Sequence, residues 1–308
     1  MSLIKRIIIV FLLVIFLVGC NQAPDEYDEY DEYVIIVEPE PTPAPTPPPL
    51  TDTLEVHFID VGFGESILVR QGRYTMLIDG GNYPQRLLDY LNEQGVEHFD
   101  LVFQTNKLNT HITGLIYALL EFPADYIILA NDVFPTDEVV AFWNTLERLS
   151  EEPYHVTTIM SAHTGLAFNL GQAEIQIISP YADTVLVGQL NRSTVIRIVF
   201  GQTAFLFMSN AITSAENLIM QETPVLTSHV LKVGRHGYQN ATSAEFLEAV
   251  NPAVAIVMDG SAANNQQFFH QATRQRLEDA NVQVFETYHN GTIIITSDGN
   301  SLEIVVGN

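Results

Sequence analysis

The sequence predicts an α/β fold in which two β-sheets pack face to face and helices cover their outer sides. The first observation is a group of paired strands that leads into strand–helix units, a pattern that occurs twice along the chain. The second observation is length, because residues 53–308 are enough for one α/β domain with a full core.

The first half opens with three strands and continues with alternating helices and strands. The strands read "LEVHFIDVG", "ESILVRQG" and "YTMLIDGG", with a turn at Gln71-Gly72 between the last two. The later elements are a helix over 84–95 that ends at Gly95, a buried strand "FDLVFQT", a helix from His111 to Glu121, a strand "ADYIILAN" and an amphipathic helix over 136–150.

The second half repeats this order. Its elements are short strands at His155–Ile159 and Glu174–Ser179, a hairpin "STVIRIVFGQTAFLFMSN", a strand "TPVLTSHVLKVG", a helix "SAEFLEAVNP", a strand "AVAIVMDG" and a helix over 271–280. Strands close the chain, and the pairs Asn290-Gly291 and Asp298-Gly299 are typical of hairpin turns. We therefore expect a hairpin at each pair.

The start of the chain predicts a lipoprotein signal over residues 1–19. Lys5 and Arg6 precede an apolar run from Ile7 to Val18, and small residues lead to the cysteine of "LVGC". This stretch resembles a bacterial lipobox, which implies cleavage before Cys20 and a lipid on its sulfur. Cys20 is the only cysteine, so lipidation explains it better than a metal or disulfide role. The alternative is an uncleaved signal-anchor helix.

Residues 20–52 predict a stiff, solvated spacer between the lipid and the domain 53–308. "DEY" occurs three times, and proline then alternates with small or acidic residues. The domain itself has 28 acidic and 11 basic residues, a net charge of about −17. Such a surface repels phosphate backbones, so nucleic acid is disfavoured as a partner.

Six stretches of the domain, in order, resemble the motifs of ComEC-type metallo-β-lactamase-fold domains. They are "HFIDVGFGES", "LIDGG", "LVFQTNKLNTHITGL", "FLFMSN", "LKVGRHGYQNATSAEFLEAVNPAVAIV" and "FFHQATRQRLEDANVQVFET". Together they cover nearly all of residues 54–308. The resemblance implies the four-layer αββα sandwich of the metallo-β-lactamase superfamily, which agrees with the pattern of strands and helices.

The third stretch occupies the place of the family's metal motif, Thr-His-x-Asp-x-Asp-His. That motif holds two metal ions, because a dinuclear site needs imidazole and hard oxygen ligands from one rigid turn. At the matching positions Asn106 replaces the first histidine, and Leu108 and Thr110 replace the two aspartates. Of the four metal-binding positions, only the last histidine, His111, is retained, and Thr105 matches the leading threonine.

The other motifs keep some of the family's residues and lack others. Asn210 replaces the aspartate that would bridge two metals, and Arg235 replaces the first histidine of a His-His-Gly segment. His236 and His270 match histidines of the family. Asp79 ends a strand before two glycines, so it caps the turn or remains as a functional acid on the cleft floor.

These replacements predict a vestigial cleft. No anionic ligand is kept at the matched cavity positions, and a positive side chain there opposes a dication. We therefore expect no metal cofactor. If a metal binds, His111, His236 and His270 are its ligands, in a mononuclear zinc site.

The sequence thus predicts a lipid-anchored, extracytoplasmic pseudoenzyme that binds a small ligand or a protein, or serves as a scaffold. One alternative, implied by the intact family, is an active metal-dependent hydrolase of phosphodiester bonds, related to competence and using zinc or manganese. The other alternative is a purely structural surface lipoprotein.

Overall fold

The computed structural model describes residues 52–130, 137–151, 157–181, 189–259 and 269–307. The predicted signal, Cys20 and nearly all of the spacer lie outside these residues. The chain divides after Pro47, and the unit that follows, Pro48–Asn308, contains every described residue. Within the described ranges, no helix is both long enough and apolar enough to cross a membrane.

The first half of the domain contains strands and helices in alternation after an antiparallel start. Its elements are β1 (Leu54–Phe58), β2 (Ile67–Gln71), β3 (Tyr74–Ile78), α1 (Pro84–Glu93), β4 (Phe99–Gln104), α2 (Asn109–Glu121), β5 (Ala124–Leu129), α3 (Asp137–Glu151) and β6 (Thr158–Ser161).

The second half has the same order and ends with a hairpin. Its elements are β7 (Ala167–Leu170), β8 (Ala173–Ser179), β9 (Val195–Phe200), β10 (Thr203–Phe207), α4 (Thr213–Glu222), β11 (Val230–Lys232), α5 (Ala244–Val250), β12 (Val254–Val257), α6 (Gln271–Asp279), β13 (Gln283–Glu286), α7 (Thr287–Asn290), β14 (Ile293–Ser297) and β15 (Leu302–Val306). Two 3-10 turns lie at Gln189–Arg192 and Gly234–Gly237.

Each of the two sheets is antiparallel at one side and parallel at the other, and the closing hairpin of the second half joins the first sheet. The first sheet has the order β15-β14-β1-β2-β3-β4-β5-β6, and the second has the order β13-β12-β11-β10-β9-β8-β7. Strands β3 to β6 are parallel, as are β10 to β13. The sequence prediction of paired strands followed by strand–helix units, occurring twice, is confirmed.

Alternation along the strands divides the core into three layers. In β4, Phe103 points into a cluster shared by both sheets, whereas Val102 packs against helices α1 to α3. In β10, Phe205 lies in the shared cluster, whereas Leu206 packs against α4 to α6. The order helix, sheet, sheet, helix is the predicted αββα sandwich.

Two local expectations are wrong. Asn290-Gly291 does not form a hairpin, because the chain leaves β13 in the second sheet, forms α7, and enters β14 in the first sheet beside β1. The segment "TPVLTSHVLKVG" gives only the three-residue strand β11, and α4, which the sequence pattern did not predict, precedes it. The hairpin at Asp298-Gly299 is present between β14 and β15.

Two glycines bring the end of β3 against the start of α2. A Cβ on Gly114 would lie 1.8 Å from the carbonyl oxygen of Gly80, and a Cβ on Gly80 would lie 2.1 Å from the nitrogen of Leu115. The backbones are joined there, with Gly80 N–H donating to the carbonyl of His111 at 2.6 Å. This close approach places Asp79 beside His111.

Candidate functional site: a cleft at the strand ends

The cleft lies where strand ends of the two sheets meet. Asp79 follows β3, and Thr105 follows β4 in the first sheet. Ser209 follows β10 in the second sheet, and its hydroxyl lies 2.7 Å from the hydroxyl of Thr105. The carboxyl ends of parallel strands are where open α/β sheets place binding groups, and here two such edges face each other.

Asp79 is the centre of a closed network on the cleft floor. Its side chain is fully buried, and the residue has a positive φ of 58°. Oδ1 accepts the backbone N–H of Thr105 at 2.8 Å, and Oδ2 accepts the Thr105 hydroxyl. Oδ2 also contacts His111 Nδ1 at 2.7 Å. Both carboxylate oxygens are therefore used within the protein.

His111 is held in one tautomer by its neighbours. A carboxylate oxygen only accepts, so Nδ1 carries the proton and donates to Asp79. The other ring nitrogen, Nε2, then has a lone pair and accepts from Asn210 Nδ2 at 2.7 Å. This arrangement turns the Asn210 oxygen away, and Oδ1 is buried without a hydrogen-bond partner.

A buried ion pair crosses between the sheets beside this network. The Lys232 ammonium donates to Glu65 Oε2 and, at 3.1 Å, to the carbonyl of Ser209. Both side chains of the pair are 0% exposed. The other Glu65 oxygen, Oε1, has no hydrogen-bond partner. A buried pair of this kind stabilises only while both charges remain.

The rim of the cleft, across from the floor, contains two consecutive residues whose backbone lies in the left-handed region of φ and ψ. Arg235 has φ 46° and His236 has φ 53°, a conformation that costs roughly 1–2 kcal/mol for each non-glycine residue. The Arg235 guanidinium lies 4.5 Å from the centre of the Tyr238 ring, and Nη1 donates to Asn240 Oδ1 at 2.9 Å. The ring stack and this single bond hold the guanidinium at the mouth of the cleft.

The His236 side chain is buried, and its imidazole is uncharged. Its Nδ1 donates to the carbonyl of Met258 at 2.6 Å, which fixes the tautomer. Burial, reinforced by the positive charges of Lys232 and Arg235, lowers the pKa of His236 well below its usual range. The ring also packs on Phe63, with centroids 5.0 Å apart.

Floor and rim enclose a cavity of about 350 Å³. A volume of this size lies at the lower end of the range for small-molecule sites. Its described lining is Phe63, Leu108, Asn109, Thr110, Leu190, Asn210, Arg235, His236 and Tyr238.

The structure brings most of the sequence-predicted residues to this cavity. Leu108, Thr110, Asn210, Arg235 and His236 line it, and Asp79 and His111 lie directly beside Asn210 in the floor network.

Two predicted residues lie elsewhere. Asn106 is buried but turns toward Ser193, to whose Oγ it donates at 3.0 Å. His270 is exposed and caps α6, where its Nδ1 accepts the backbone N–H of Ala272 at 3.1 Å. A mononuclear site made of His111, His236 and His270 would need His270 to leave this cap.

The structure places two carboxylates, Glu65 and Asp79, beside the cleft, at positions other than the replaced metal-ligand positions. Glu65, Asp79 and His111 offer ligand atoms within 4.8 Å of one another. Sequence reasoning missed the cation that accompanies them, Lys232, because the pair with Glu65 spans 167 positions. The lysine stands in the segment "LKVGRHG", but nothing local indicates its partner.

The donor set does not fit the two-metal centre that the fold family implies. The ammonium of Lys232 already neutralises Glu65, and both oxygens of Asp79 are hydrogen-bonded. His111 has partners on both ring nitrogens. The guanidinium of Arg235 adds a further positive charge at the rim. Two dications need several free anionic ligands, and among these carboxylates only Glu65 Oε1 has no hydrogen-bond partner.

No protein-family model matches the chain. Among curated proteins, it is 26% identical over 265 residues to ComE operon protein 3 of Bacillus subtilis, covering 78% of this chain and 32% of that protein. It is 23% identical over 238 residues to competence protein ComA of Neisseria gonorrhoeae, covering 76% of this chain and 31% of that protein. The chain thus spans about a third of the length of these relatives.

Solved structures with a similar backbone include two metallo-β-lactamase-type proteins. The metallo-β-lactamase fold protein YhfI of Bacillus subtilis aligns with a TM-score of 0.52 at 11% identity, over 80% of this chain and all of that one. Igni18, a metallo hydrolase of the archaeon Ignicoccus hospitalis, aligns with a TM-score of 0.50 at 14% identity, over 79% and 98%. The chain therefore has the metallo-β-lactamase fold, and most of its length is similar in sequence to part of two bacterial competence proteins.

Proposed function

We propose that the protein is a non-catalytic binding module with a ComEC-like metallo-β-lactamase fold, held at the outer side of the cell membrane by a lipid on Cys20. The observation that carries the non-catalytic part is the closed floor of the cleft. Each group that could serve as a metal ligand there is bonded to another protein group.

A binding role is favoured over a purely structural one by the cavity above this floor. It is lined by aromatic rings, neutral polar groups and one guanidinium. A surface lipoprotein without a ligand would gain nothing from two strained residues, Arg235 and His236, that hold a cation and an imidazole at the cavity wall.

Metal analysis tests the non-catalytic proposal. The full chain, purified without added metal, should contain well below one zinc or manganese ion per molecule. Its melting temperature should not change with a chelator, because no ion contributes to the folded state. Hydrolysis of a phosphodiester substrate should not exceed a buffer control.

A positive control comes from the matched motif positions. The five-fold variant Asn106→His, Leu108→Asp, Thr110→Asp, Asn210→Asp and Arg235→His makes the cavity four charges more negative. It should gain stabilisation from added zinc or manganese, even if activity stays weak. Stoichiometric metal in the unaltered chain would overturn the proposal.

The alternative function, a metal-dependent hydrolase, has one observation in its favour. The ligand atoms of Glu65, Asp79 and His111 lie within 4.8 Å of one another and are all buried. Glu65 Oε1 has no hydrogen-bond partner and is available to such a metal, and the same metal analysis separates the two functions.

The anchor rests on "LVGC" and the lone cysteine of the sequence. Mass spectrometry of the protein from its membrane fraction should find cleavage before Cys20 and a lipid on that residue. The Cys20→Ala variant should be left unprocessed or shed, without a lipid label. An intact Met1 together with an unmodified Cys20 would contradict the anchor.

A further inference from the structure

The cleft cavity differs in charge from the rest of the chain. The protein carries a formal net charge of −24. Yet no described residue lining the cavity is an aspartate or glutamate, and one is an arginine. Helix α2 begins at Asn109 in the same wall, so the positive end of its dipole also lies there. The described lining of the cavity therefore carries a positive group and no negative one, on a protein that is acidic as a whole.

Arg235 supplies the charge in a form that a ligand can reach. The guanidinium has five N–H donors in a planar fork. One nitrogen donates to Asn240, and no described carboxylate forms an ion pair with Arg235. The stack on Tyr238 fixes the plane of the fork without using its donors. Arg235 thus presents free, oriented donors toward an anion.

Two other groups in the wall need a donor from the ligand. Asn210 Oδ1 is buried without a partner, although the side chain lies in the cavity wall. His236 uses Nδ1 on Met258, which leaves a lone pair on Nε2, and no described residue hydrogen-bonds to that nitrogen. A buried acceptor without a partner costs about 1–3 kcal/mol, so a ligand hydroxyl that reached it would be favoured.

We propose that this cavity binds a small hydroxylated monoanion of the sugar-acid type, with the carboxylate on Arg235 and hydroxyls on Asn210 and His236. The rings of Phe63 and Tyr238 provide apolar faces for the sugar ring. This ligand class rests on the proposed function, because it needs a cleft that holds no metal.

Charge counting favours a carboxylate over a phosphate ester. Lys232 is already matched by Glu65, so Arg235 is the one cation of the described lining that can pair with an anion. The Asp79 carboxylate behind the lining adds a negative charge to the floor. A phosphate dianion would leave one charge uncompensated in a partly buried site.

Four ligands test the chemistry by isothermal titration of the full chain. D-glucuronate carries both features, cyclohexanecarboxylate has the anion without hydroxyls, and D-glucose has hydroxyls without the anion. D-glucose 6-phosphate replaces the carboxylate by a dianion. We expect D-glucuronate to bind at least about 10-fold more tightly than each of the other three, since each lacks one matched interaction.

Two arginine variants localise the site. Arg235→Gln should weaken D-glucuronate binding by about 10- to 100-fold, as expected for the loss of a charge-assisted bond. Arg73→Gln is the matched control and should leave binding unchanged. Arg73 also stacks on the tyrosine that follows it, with the guanidinium 5.0 Å from the Tyr74 ring centre. It lies at the far end of β3 from Asp79.

Each outcome of these titrations tests one part of the proposed ligand class. Equal binding of cyclohexanecarboxylate would overturn the role of the hydroxyls, and tighter binding of D-glucose 6-phosphate would overturn the monoanion. Absence of D-glucuronate binding in a metal-free protein would reject the ligand class and leave the non-catalytic function standing. Absence of binding in a protein with stoichiometric metal would reject both.

Discussion

The two halves of the domain have the same order of strands and helices but bring opposite charges to the cleft. The first half contributes the buried carboxylates of Glu65 and Asp79. The second half contributes Lys232 and Arg235, together with the neutral imidazole of His236. The Glu65 carboxylate is compensated across the sheet interface by Lys232, which is the task that dications perform in a metal centre. Asp79, by contrast, is bonded within the first half to Thr105 and His111.

The halves also differ in how many polar atoms remain free. In the first half, Asp79 and His111 use every atom on internal bonds. In the second half, Asn210, Arg235 and His236 keep unused donors or acceptors at the cavity. The first half therefore acts as a fixed floor, and the second half is where a ligand would be recognised.

Gly114→Ala should cause the largest loss of stability, because it disrupts the cleft floor that the first half provides. The added Cβ would lie 1.8 Å from the carbonyl of Gly80, a backbone atom that cannot turn aside. Forcing α2 away from β3 would also separate His111 from Asp79. We expect a loss of about 5 kcal/mol or more in the free energy of unfolding, measured by urea denaturation.

Gly95→Ala is the control for that substitution. Nothing lies within 4 Å of its added Cβ, but φ is +65°. It should cost about 1–2 kcal/mol, the penalty for a side chain in the left-handed region. Similar losses of stability for both variants would mean that the close contact between β3 and α2 is not what holds Asp79 and His111 together in the cleft floor.

Lys232→Met removes the cation that joins the halves. Glu65 would then be a buried charge without compensation, which costs about 3–5 kcal/mol in stability. Replacing both, as Glu65→Leu with Lys232→Met, should cost less than the single change, because no charge is stranded. Urea denaturation of the two single variants and the double variant measures the coupling.

An exposed pair provides the contrast. Arg86 Nη1 lies 3.5 Å from Asp60 Oδ1, and both side chains are at least a third exposed. Arg86→Gln should change stability by less than about 1 kcal/mol. If Lys232→Met were as mild as Arg86→Gln, the cross-sheet pair would not be the element that neutralises the cleft.

The smallest expected effect is a change in the pH dependence of stability in the variant His236→Gln. The native pKa of His236 lies below its ordinary value of 6.5, so the unfolded chain binds a proton that the folded chain refuses. The stability that depends on a neutral His236 is present above pH 6.5 and is lost as pH falls from there through the native pKa. The glutamine variant lacks this loss.

Urea denaturation of both proteins at about pH 7.5 and at about pH 5 measures how far stability falls with pH, and the decrease is expected to be larger for the wild type. Parallel decreases in stability for wild type and variant would show that the second-half imidazole is not held neutral by its surroundings.

The fold was predictable because its signals are local. The apolar runs of β10 and β4 indicate strands wherever they pair. Helix α4 was missed because its buried face is weakly apolar and includes Glu216, which accepts the backbone N–H groups of Thr242 and Ser243. The expected hairpin at Asn290-Gly291 failed because turn chemistry does not say which strand will be the partner.

The sequence predicted which positions line the candidate site, but not which groups their side chains bond to. The motif resemblance marked Leu108, Thr110 and Asn210, and all three line the cavity. It gave no information on hydrogen-bond partners, which come from residues far apart in the chain. For that reason the pairing of Lys232 with Glu65 and the capping role of His270 emerged only from the folded arrangement.

The place of β1 in the first sheet has a consequence for the order of folding. Leu54 pairs with Gln71 on one side and with Ser297 on the other. Strand β1 therefore cannot complete its pairing until β14, one of the last strands, has been synthesised. Until β14 and β15 arrive, β1 is an open edge with unpaired backbone groups, which is a template for aggregation. A chain cut before β14 would keep nearly every cleft residue and still be unable to close its first sheet.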